Sequence, residues 1–323
     1  MAFRLRLAPE HTTINFFAYQ RLTLAISALM MAASVALWAV MGLNFGIDFQ
    51  GGTTIRTESN QPVDVAAYRA AMTGLELGDV AITEVFDPSF DDDQFVAQVR
   101  IAAQDGSEAV TPETIQIVEA ALKTVDPSIT FPSVESVGPK VSGELILSAI
   151  LAVLGASGAI LVYIWLRFEW QYAVGAVAAL VHDIIITIGV FALFQIKFDL
   201  AIVAALLTIL GYSINDTVVI FDRLRENLIK FKTMPLRDVM NLSANETLSR
   251  TLMTTGTTLI ALIAMLIFGG DVIRGFVFAI TFGIVIGTYS SVYVAKNLVL
   301  LIGLDRTDKP KKGTPDEYAN IDA

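Results

Sequence analysis

Six long apolar runs divide the sequence and predict six membrane-spanning helices. A helix rises about 1.5 Å per residue, so about 20 apolar residues are needed to cross the hydrocarbon core of a bilayer. The runs cover residues 22–43, 145–166, 173–194, 200–221, 250–268 and 276–302. The fifth approaches the required length only if its helix begins at Arg250 rather than at Leu252. The first run is too long for the core of a cleaved signal peptide and is interpreted as a retained span.

Residues 44–144, between the first two runs, show a different pattern that predicts a folded α+β domain. Short segments rich in β-branched and aromatic residues predict strands, and Thr111-Pro112-Glu113 is typical of a helix start. The predicted order is strand 51–57, helix 63–75, strands 80–86 and 95–102, helix 111–125 and strand 129–137. This β-α-β-β-α-β order is that of the ferredoxin-like split βαβ unit.

The charges of the chain are distributed unevenly, and this predicts its orientation. Between Asn44 and Lys140, sixteen residues are Asp or Glu and five are Lys or Arg. Among the termini and short loops, one side holds only Lys197 and Arg274. The other side holds Arg4, Arg6, Arg21, Arg167, Arg223, Arg225, Lys230, Lys232, Arg237, Arg306, Lys309, Lys311 and Lys312. Because basic loops remain in the cytoplasm, residues 1–21 and 303–323 are predicted to be cytoplasmic and residues 44–144 periplasmic.

Composition argues against several classes of function. Charged residues make up 17% of the 323 residues, against about 25% in soluble domains. There are no cysteines, and the only histidines are His11 and His182, so thiolate and multi-histidine metal sites are not expected. The net charge of −10 argues against nucleic acid as a partner. No cofactor is predicted.

Ionisable residues inside the predicted spans are the candidate functional residues. An ionised side chain at mid-membrane costs about 2.5–3.5 kcal/mol on insertion scales. Asp216 lies in the fourth span, six residues before Asp222, and therefore about 9 Å from the helix end. Arg250 marks the predicted start of the fifth span, and His182 and Asp183 lie near the middle of the third.

Asp216 and Arg250 allow two interpretations. In the first, a fixed salt bridge joins the fourth helix to the fifth. In the second, Asp216 carries a proton, because burial favours the protonated form of a carboxylic acid and a nearby arginine favours the ionised form. A change in the separation of Asp216 and Arg250 would then change the proton affinity of the site.

The neighbouring polar residues also leave alternatives open. Adjacent helical residues point about 100° apart, so His182 and Asp183 are each interpreted either as a relay group or as a packing residue. Asn215 is a candidate hydrogen-bonding group toward a neighbouring helix, or a packing residue. Thr254 and Thr255 either line a water path or bond to their own backbone carbonyls.

Four strings in the sequence resemble those of one membrane-protein family. They are G-I-D-F-Q-G-G-T at 46–53, V-G-P-K-V-S-G-E-L at 137–145, G-Y-S-I-N-D-T-V-V-I-F-D-R-L-R-E-N at 211–227 and S-R-T-L-M-T-T-G-T-T-L at 249–259. In this order they resemble the SecF branch of the SecD/SecF family of protein-export membrane subunits, in the RND superfamily. The resemblance implies six helices that form half of an RND-type twelve-helix unit, completed by a SecD-like subunit. Thr254-Thr255 departs from the family, in which a Thr-Ser pair is commoner.

The resemblance also implies a function. It is assistance to late stages of protein secretion across the bacterial inner membrane, without enzymatic activity and with protons as the coupling ion. The expected partners are the SecD-like subunit, the Sec translocon channel, secreted polypeptides and membrane lipid. Asp216 and Arg250 become the expected proton-relay pair. The residues expected to relay or support are Asp183, His182, Asn215, Thr254 and Thr255.

Two other functions are compatible with parts of the sequence. An assembly factor that only holds clients would depend on the outer domain and tolerate neutralisation of Asp216. An intramembrane aspartyl protease would use Asp183 and Asp216 as a carboxyl pair. The Gly-x-Gly-Asp string of such proteases is absent, because Ile214-Asn215 precedes Asp216, and Arg250 would hold Asp216 ionised.

Overall fold

The computed structural model describes residues 12–304 except 76, 89, 92 and 104–109. His11, the basic residues before it and the acidic tail after residue 304 lie outside this part. In chain order the elements are α1 Gln20–Met41, α2 Ile47–Gln50, β1 Gly52–Ser59, α3 Val65–Met72, β2 Val80–Val85, β3 Phe95–Ile101, α4 Pro112–Lys123, β4 Thr130–Val137, α5 Pro139–Arg167, α6 Trp170–Phe194, α7 Leu200–Lys230, α8 Leu236–Phe268, α9 Asp271–Ser290 and α10 Lys296–Ile302, with a π-helical turn over Ser291–Ala295.

Six membrane-spanning helices are present in the described residues, which confirms the predicted number. They are α1, α5, α6, α7, α8 and the continuous segment from α9 to α10. Three of them extend well beyond the apolar runs, since α5 begins at Pro139, α7 ends at Lys230 and α8 begins at Leu236. Arg250 consequently lies in the interior of α8 and not at the start of a helix. The apolar runs mark only the part of each helix that suits hydrocarbon, whereas polar residues continue the helix beyond it.

Helix α7, which carries Asp216, packs against α5, α6, α8 and α9. Two glycines bring α9 close to α7. A Cβ atom at Gly283 would collide with the side chain of Ile209, and one at Gly287 would lie 3.1 Å from the Cβ of Ser213. Small residues four positions apart allow this approach, and it places polar side chains of α9 beside those of α7.

The α+β domain has the predicted β-α-β-β-α-β order. Its four strands form one antiparallel sheet in the order β2-β3-β1-β4. Asp64 caps α3 by accepting hydrogen bonds from the N–H groups of Ala66 and Ala67, and Thr111 caps α4 in the same way from Thr114. The two helices pack on the sheet around a core that includes Ile55, Tyr68, Val99, Val118 and Leu122.

The string G-I-D-F-Q-G-G forms the short helix α2 and a turn into β1, which the sequence pattern did not predict. Gly51 and Gly52 have φ values of +72° and +115°, where residues with a Cβ atom are strained. A Cβ at Gly52 would also collide with the carbonyl oxygen of Ile101. The Asp48 carboxylate accepts a hydrogen bond from the N–H of Leu200 (2.9 Å), the first residue of α7. The string therefore ties the α+β domain to the start of α7.

A second contact joins the α+β domain to the start of α9. The N–H of Phe86 donates to Oδ2 of Asp271 (2.7 Å), and the N–H of Asp271 donates to the carbonyl of Phe86 (2.9 Å). The domain thus lies at the end of the bundle where α7 and α9 begin, in contact with the first residue of each helix.

Ile55→Ala is expected to lower the free energy of unfolding of the α+β domain by about 2–5 kcal/mol, because it truncates a fully buried side chain and leaves a cavity in the core. Val134, its cross-strand partner on β4, is 40% exposed, and Val134→Ala is expected to cost less than about 1 kcal/mol. Amide hydrogen exchange of β1 and β3 in the detergent-solubilised full chain measures both effects. Equal loss of protection in the two variants would contradict this placement of the core.

Candidate functional site: buried acids of the helix bundle

Asp216 lies on α7 and is buried, with 3% of its surface exposed. Its Oδ2 atom has no hydrogen-bond partner in the described part of the chain. The hydroxyl of Thr288 on α9 lies within reach of the carboxyl group, but this hydroxyl donates its proton to the carbonyl of Ile284 (2.9 Å). A buried polar atom without a partner costs free energy. Oδ2 of Asp216 is therefore available to bind a proton.

Arg250 lies near Asp216 without touching it. Within the described residues, no N–O distance of 4.0 Å or less joins the two side chains, although the positive charge of Arg250 still attracts the carboxyl group. Arg250 itself is exposed on α8. The salt bridge of the first interpretation is therefore not formed in this structure.

The threonines of α8 divide into two groups. The hydroxyl of Thr255 is 3.1 Å from that of Thr288, which joins α8 to α9 beside Asp216. Thr254 donates to the backbone carbonyl of Arg250 (3.0 Å). Of the two interpretations for this residue, the structure shows the bond to its own helix backbone. Asn215 is exposed on α7 and is therefore not a packing residue within this chain.

Asp183 forms a second polar centre that joins three helices. It lies on α6 and is fully buried. Its Oδ2 accepts hydrogen bonds from Ser213 on α7 (2.7 Å) and from Ser290 on α9 (2.8 Å), and its Oδ1 is 2.9 Å from Nδ1 of His182. The His182 ring is also fully buried and stacks on Tyr289, with 6.1 Å between centroids. Both oxygens of Asp183 are occupied, in contrast to Asp216.

Three residues of this region were not identified from the sequence, namely Ser213, Ser290 and Lys296. Serines in membrane helices commonly bond to their own backbone, so nothing in the sequence distinguishes these two. Lys296 could have been recognised from the sequence, because a lysine lies within the sixth span, six residues before its end. Lysines near helix ends usually extend to the interface, whereas Lys296 is 1% exposed and its Nζ has no hydrogen-bond partner within the described residues.

The geometry supports proton binding at Asp216. The site consists of a buried carboxyl oxygen without a partner among the described residues, a nearby guanidinium group and a pair of hydroxyls on two other helices. Protonation of the carboxylate would remove its negative charge and its attraction to the guanidinium group. Within the described residues, no group of three or more His, Asp or Glu side chains is placed to hold a metal ion.

Sequence comparison identifies the family. The family described as "Protein export membrane protein SecD/SecF, C-terminal" matches residues 117–305, and the "SecD/SecF GG Motif" matches residues 36–63. The protein translocase subunit SecF of Cereibacter sphaeroides is 72% identical over 325 residues, covering 100% of both chains. The protein of the same name from Vibrio alginolyticus is 43% identical and covers 96% of each.

Solved structures agree with this result. The crystal structure of SecDF from Thermus thermophilus, described as a translocon-associated membrane protein, matches with a TM-score of 0.80 and 34% identity. The match covers 92% of this chain and 39% of that one, so this chain corresponds to well under half of the solved molecule. The family model over residues 117–305 and the relatives matched over nearly their whole length show that the chain belongs to the SecD/SecF family of protein-export membrane proteins.

Proposed function

We propose that this chain pairs with a SecD-like subunit and uses the proton gradient to assist late steps of polypeptide export. Asp216 takes up and releases the proton, and Arg250 is the cation whose distance from it changes during the cycle. No cofactor takes part, and the role is transport rather than catalysis of a reaction. The relatives are named translocase subunits, which supports the export role.

One observation carries the proposal. Asp216 is buried, its Oδ2 has no hydrogen-bond partner among the described residues, and the nearby Arg250 is not ion-paired with it. In a permanent ion pair, the proton affinity of the carboxyl group would stay constant. An acid held between a desolvating environment and a movable cation changes its proton affinity when the cation moves. Alternate opening of this site to the two sides would couple proton flow to motion of α7 and α8.

The motion has a physical route to the α+β domain. Asp48 in the turn before β1 bonds to the start of α7, and Phe86 at the end of β2 bonds to the start of α9. Shifts of α7 relative to α9 are therefore transmitted to the sheet. We propose that this domain is periplasmic, that both termini are cytoplasmic, and that the domain holds or pulls the emerging polypeptide.

A SecD-like subunit is proposed to cover the surfaces that the bundle leaves open. Most of the surface of α5 and much of that of α8 are not buried within this chain. The match covers 39% of the solved SecDF chain, and the proposed SecD-like subunit corresponds to part of the remainder. The Sec translocon channel and the surrounding inner-membrane lipid complete the set of proposed partners.

The test is export measured in vesicles that contain the translocon, a SecD-like subunit and this chain, with a secretory polypeptide arrested part-way. We expect a proton gradient to raise the rate of completion by at least about threefold, and an uncoupler to remove the increase. Vesicles without this chain serve as the control. A factor that only holds clients would give the same rate with and without the gradient, and that outcome would overturn the proposal.

A further inference from the structure

Lys296 is a buried lysine whose Nζ has no polar partner in the part of the chain that the structure describes. Its side chain lies at the start of α10, about 9 Å from the end of that helix. Within the described residues no carboxylate lies within 4.0 Å of it, and its Nζ has no hydrogen bond. Instead, Nζ lies 4.1 Å from the ring centroid of Phe17 and 4.8 Å from that of Phe16.

The charged groups of the elements around Lys296 are engaged elsewhere. Glu246 on α8 accepts hydrogen bonds from Arg223 (2.7 Å) and Asn227 (2.6 Å). Arg237 on α8 donates to the carbonyl of Phe17 (2.8 Å). Asp238 on α8 and Glu169 before α6 are exposed, and Asp183 on α6 is occupied by Ser213, Ser290 and His182. Among the described residues, the two aromatic rings are therefore the groups that face the Lys296 ammonium.

Residues 12–17, here named the N-terminal strap, carry these two rings. The strap lies before α1, at the end of the bundle opposite the α+β domain, and both Phe16 and Phe17 are buried. It is held by α8. Asn245 accepts hydrogen bonds from the Thr12 hydroxyl (2.7 Å) and the Ile14 N–H (2.8 Å), and it donates to the Ile14 carbonyl (2.8 Å).

Two further residues of α8 extend this attachment. Asn241 accepts from the N–H of Phe16 (2.9 Å) and donates to the carbonyl of Ile14 (3.0 Å). The guanidinium of Arg237 lies 5.4 Å from the centroid of the Phe17 ring. The strap is thus fastened to α8 at three residues, while the lysine that it covers belongs to α10.

The helix that holds the strap is also the helix that carries Arg250. Asn245 precedes Arg250 by five residues, a rise of about 7.5 Å along the same helix. A shift of α8 relative to both α7 and α10 would change the distance between Arg250 and Asp216 and would also move the strap relative to Lys296.

We propose that Lys296 is a second proton-exchanging residue of this chain and that the N-terminal strap controls the access of water to it. The inference rests on the proposed proton-driven function and extends it. Burial opposes the ammonium form, whereas the aromatic faces stabilise it. Burial without a hydrogen-bond partner is the larger effect, so the covered state favours the neutral amine and the hydrated, open state favours the ammonium form. The amine takes a proton from water when the strap withdraws, and the ammonium returns it to the departing water when the strap covers the site again.

The first test measures access to Lys296 by chemical modification. The chain, in vesicles with its SecD-like partner, is treated with a small membrane-permeant imidoester, and modified lysines are quantified by mass spectrometry. Without a gradient, Lys296 is expected to react at least about tenfold more slowly than Lys230, which lies over the Phe231 ring but is exposed. Asn245→Ala is expected to raise the rate at Lys296 by about tenfold and to leave Lys230 unchanged. Fast modification in the unaltered chain, or no response to Asn245→Ala, overturns the inference.

The second test separates proton exchange from a structural role. Arginine cannot lose its proton in a protein, and methionine cannot bind one. Lys296→Arg and Lys296→Met are therefore both expected to lose the gradient-dependent part of export, by at least about tenfold, with Lys230→Met as the matched control. A merely structural cation would be replaced by arginine without loss. If Lys296→Arg keeps its response to the gradient while Asp216→Asn loses it, this inference fails and the proposed function stands. If Asp216→Asn also keeps its response, the proposed function fails.

Discussion

Asp216→Asn is expected to abolish the gradient-dependent part of polypeptide export while the protein remains folded in the membrane. Asparagine has nearly the same volume as aspartic acid but cannot exchange a proton. One proton that moves through about 150 mV supplies roughly 3.5 kcal/mol, which corresponds to a bias of a few hundredfold between two conformations. Loss of this bias should reduce the rate with a gradient to the rate without one, as measured in the vesicle assay.

The matched control is Asp222→Asn on the same helix. Asp222 forms an ion pair with Arg167 (2.9 Å), and both side chains are almost half exposed. Exposed ion pairs contribute about 1 kcal/mol or less, so this variant should retain both its stability and its response to the gradient. Full gradient dependence in Asp216→Asn would refute the assignment of the proton to Asp216. Equal loss in both variants would indicate a general effect of removing a negative charge from α7.

Asp183→Ala is expected to destabilise the bundle strongly. The alanine side chain leaves the hydroxyls of Ser213 and Ser290 and the His182 ring without their common acceptor in a fully buried site. Breaking a buried polar network in this way costs about 3–5 kcal/mol. We expect a lower thermal unfolding temperature in detergent and reduced accumulation in the membrane. The first is measured by size-exclusion chromatography after heating, and the second by the amount of the chain in isolated membranes.

Asp183→Asn provides the control for this prediction. The amide oxygen can accept from both serines, and its N–H can donate to Nδ1 of His182, so all three contacts are kept. This variant should remain folded and retain gradient-dependent export, because the carboxyl oxygens of Asp183 are already occupied in the structure. A folded Asp183→Asn variant without gradient dependence would show instead that Asp183 carries protons together with Asp216.

Several features of this protein follow from its sequence alone. The six spans, and the order of strands and helices along the α+β domain, come from periods of hydrophobic residues and from turn and helix-start residues, which are local properties of the chain. Asp216 is conspicuous in the sequence because a carboxyl group within an apolar run is costly wherever its helix packs. Gly283 and Gly287 likewise predict close packing, because their spacing places both on one face of a helix.

The tertiary structure alone decided which polar groups meet. Whether Asp183 is bonded depends on how α6 is rotated relative to α7 and α9, and residues 183, 213 and 290 are far apart along the chain. The same holds for Arg250, which is near Asp216 but not paired with it, and for Lys296, which is covered by aromatic residues almost three hundred positions earlier. Hydrophobic periods fix which residues form a helix and which face is apolar. The contacts of a buried charge are set by the relative rotation and offset of whole helices, and no local pattern specifies these.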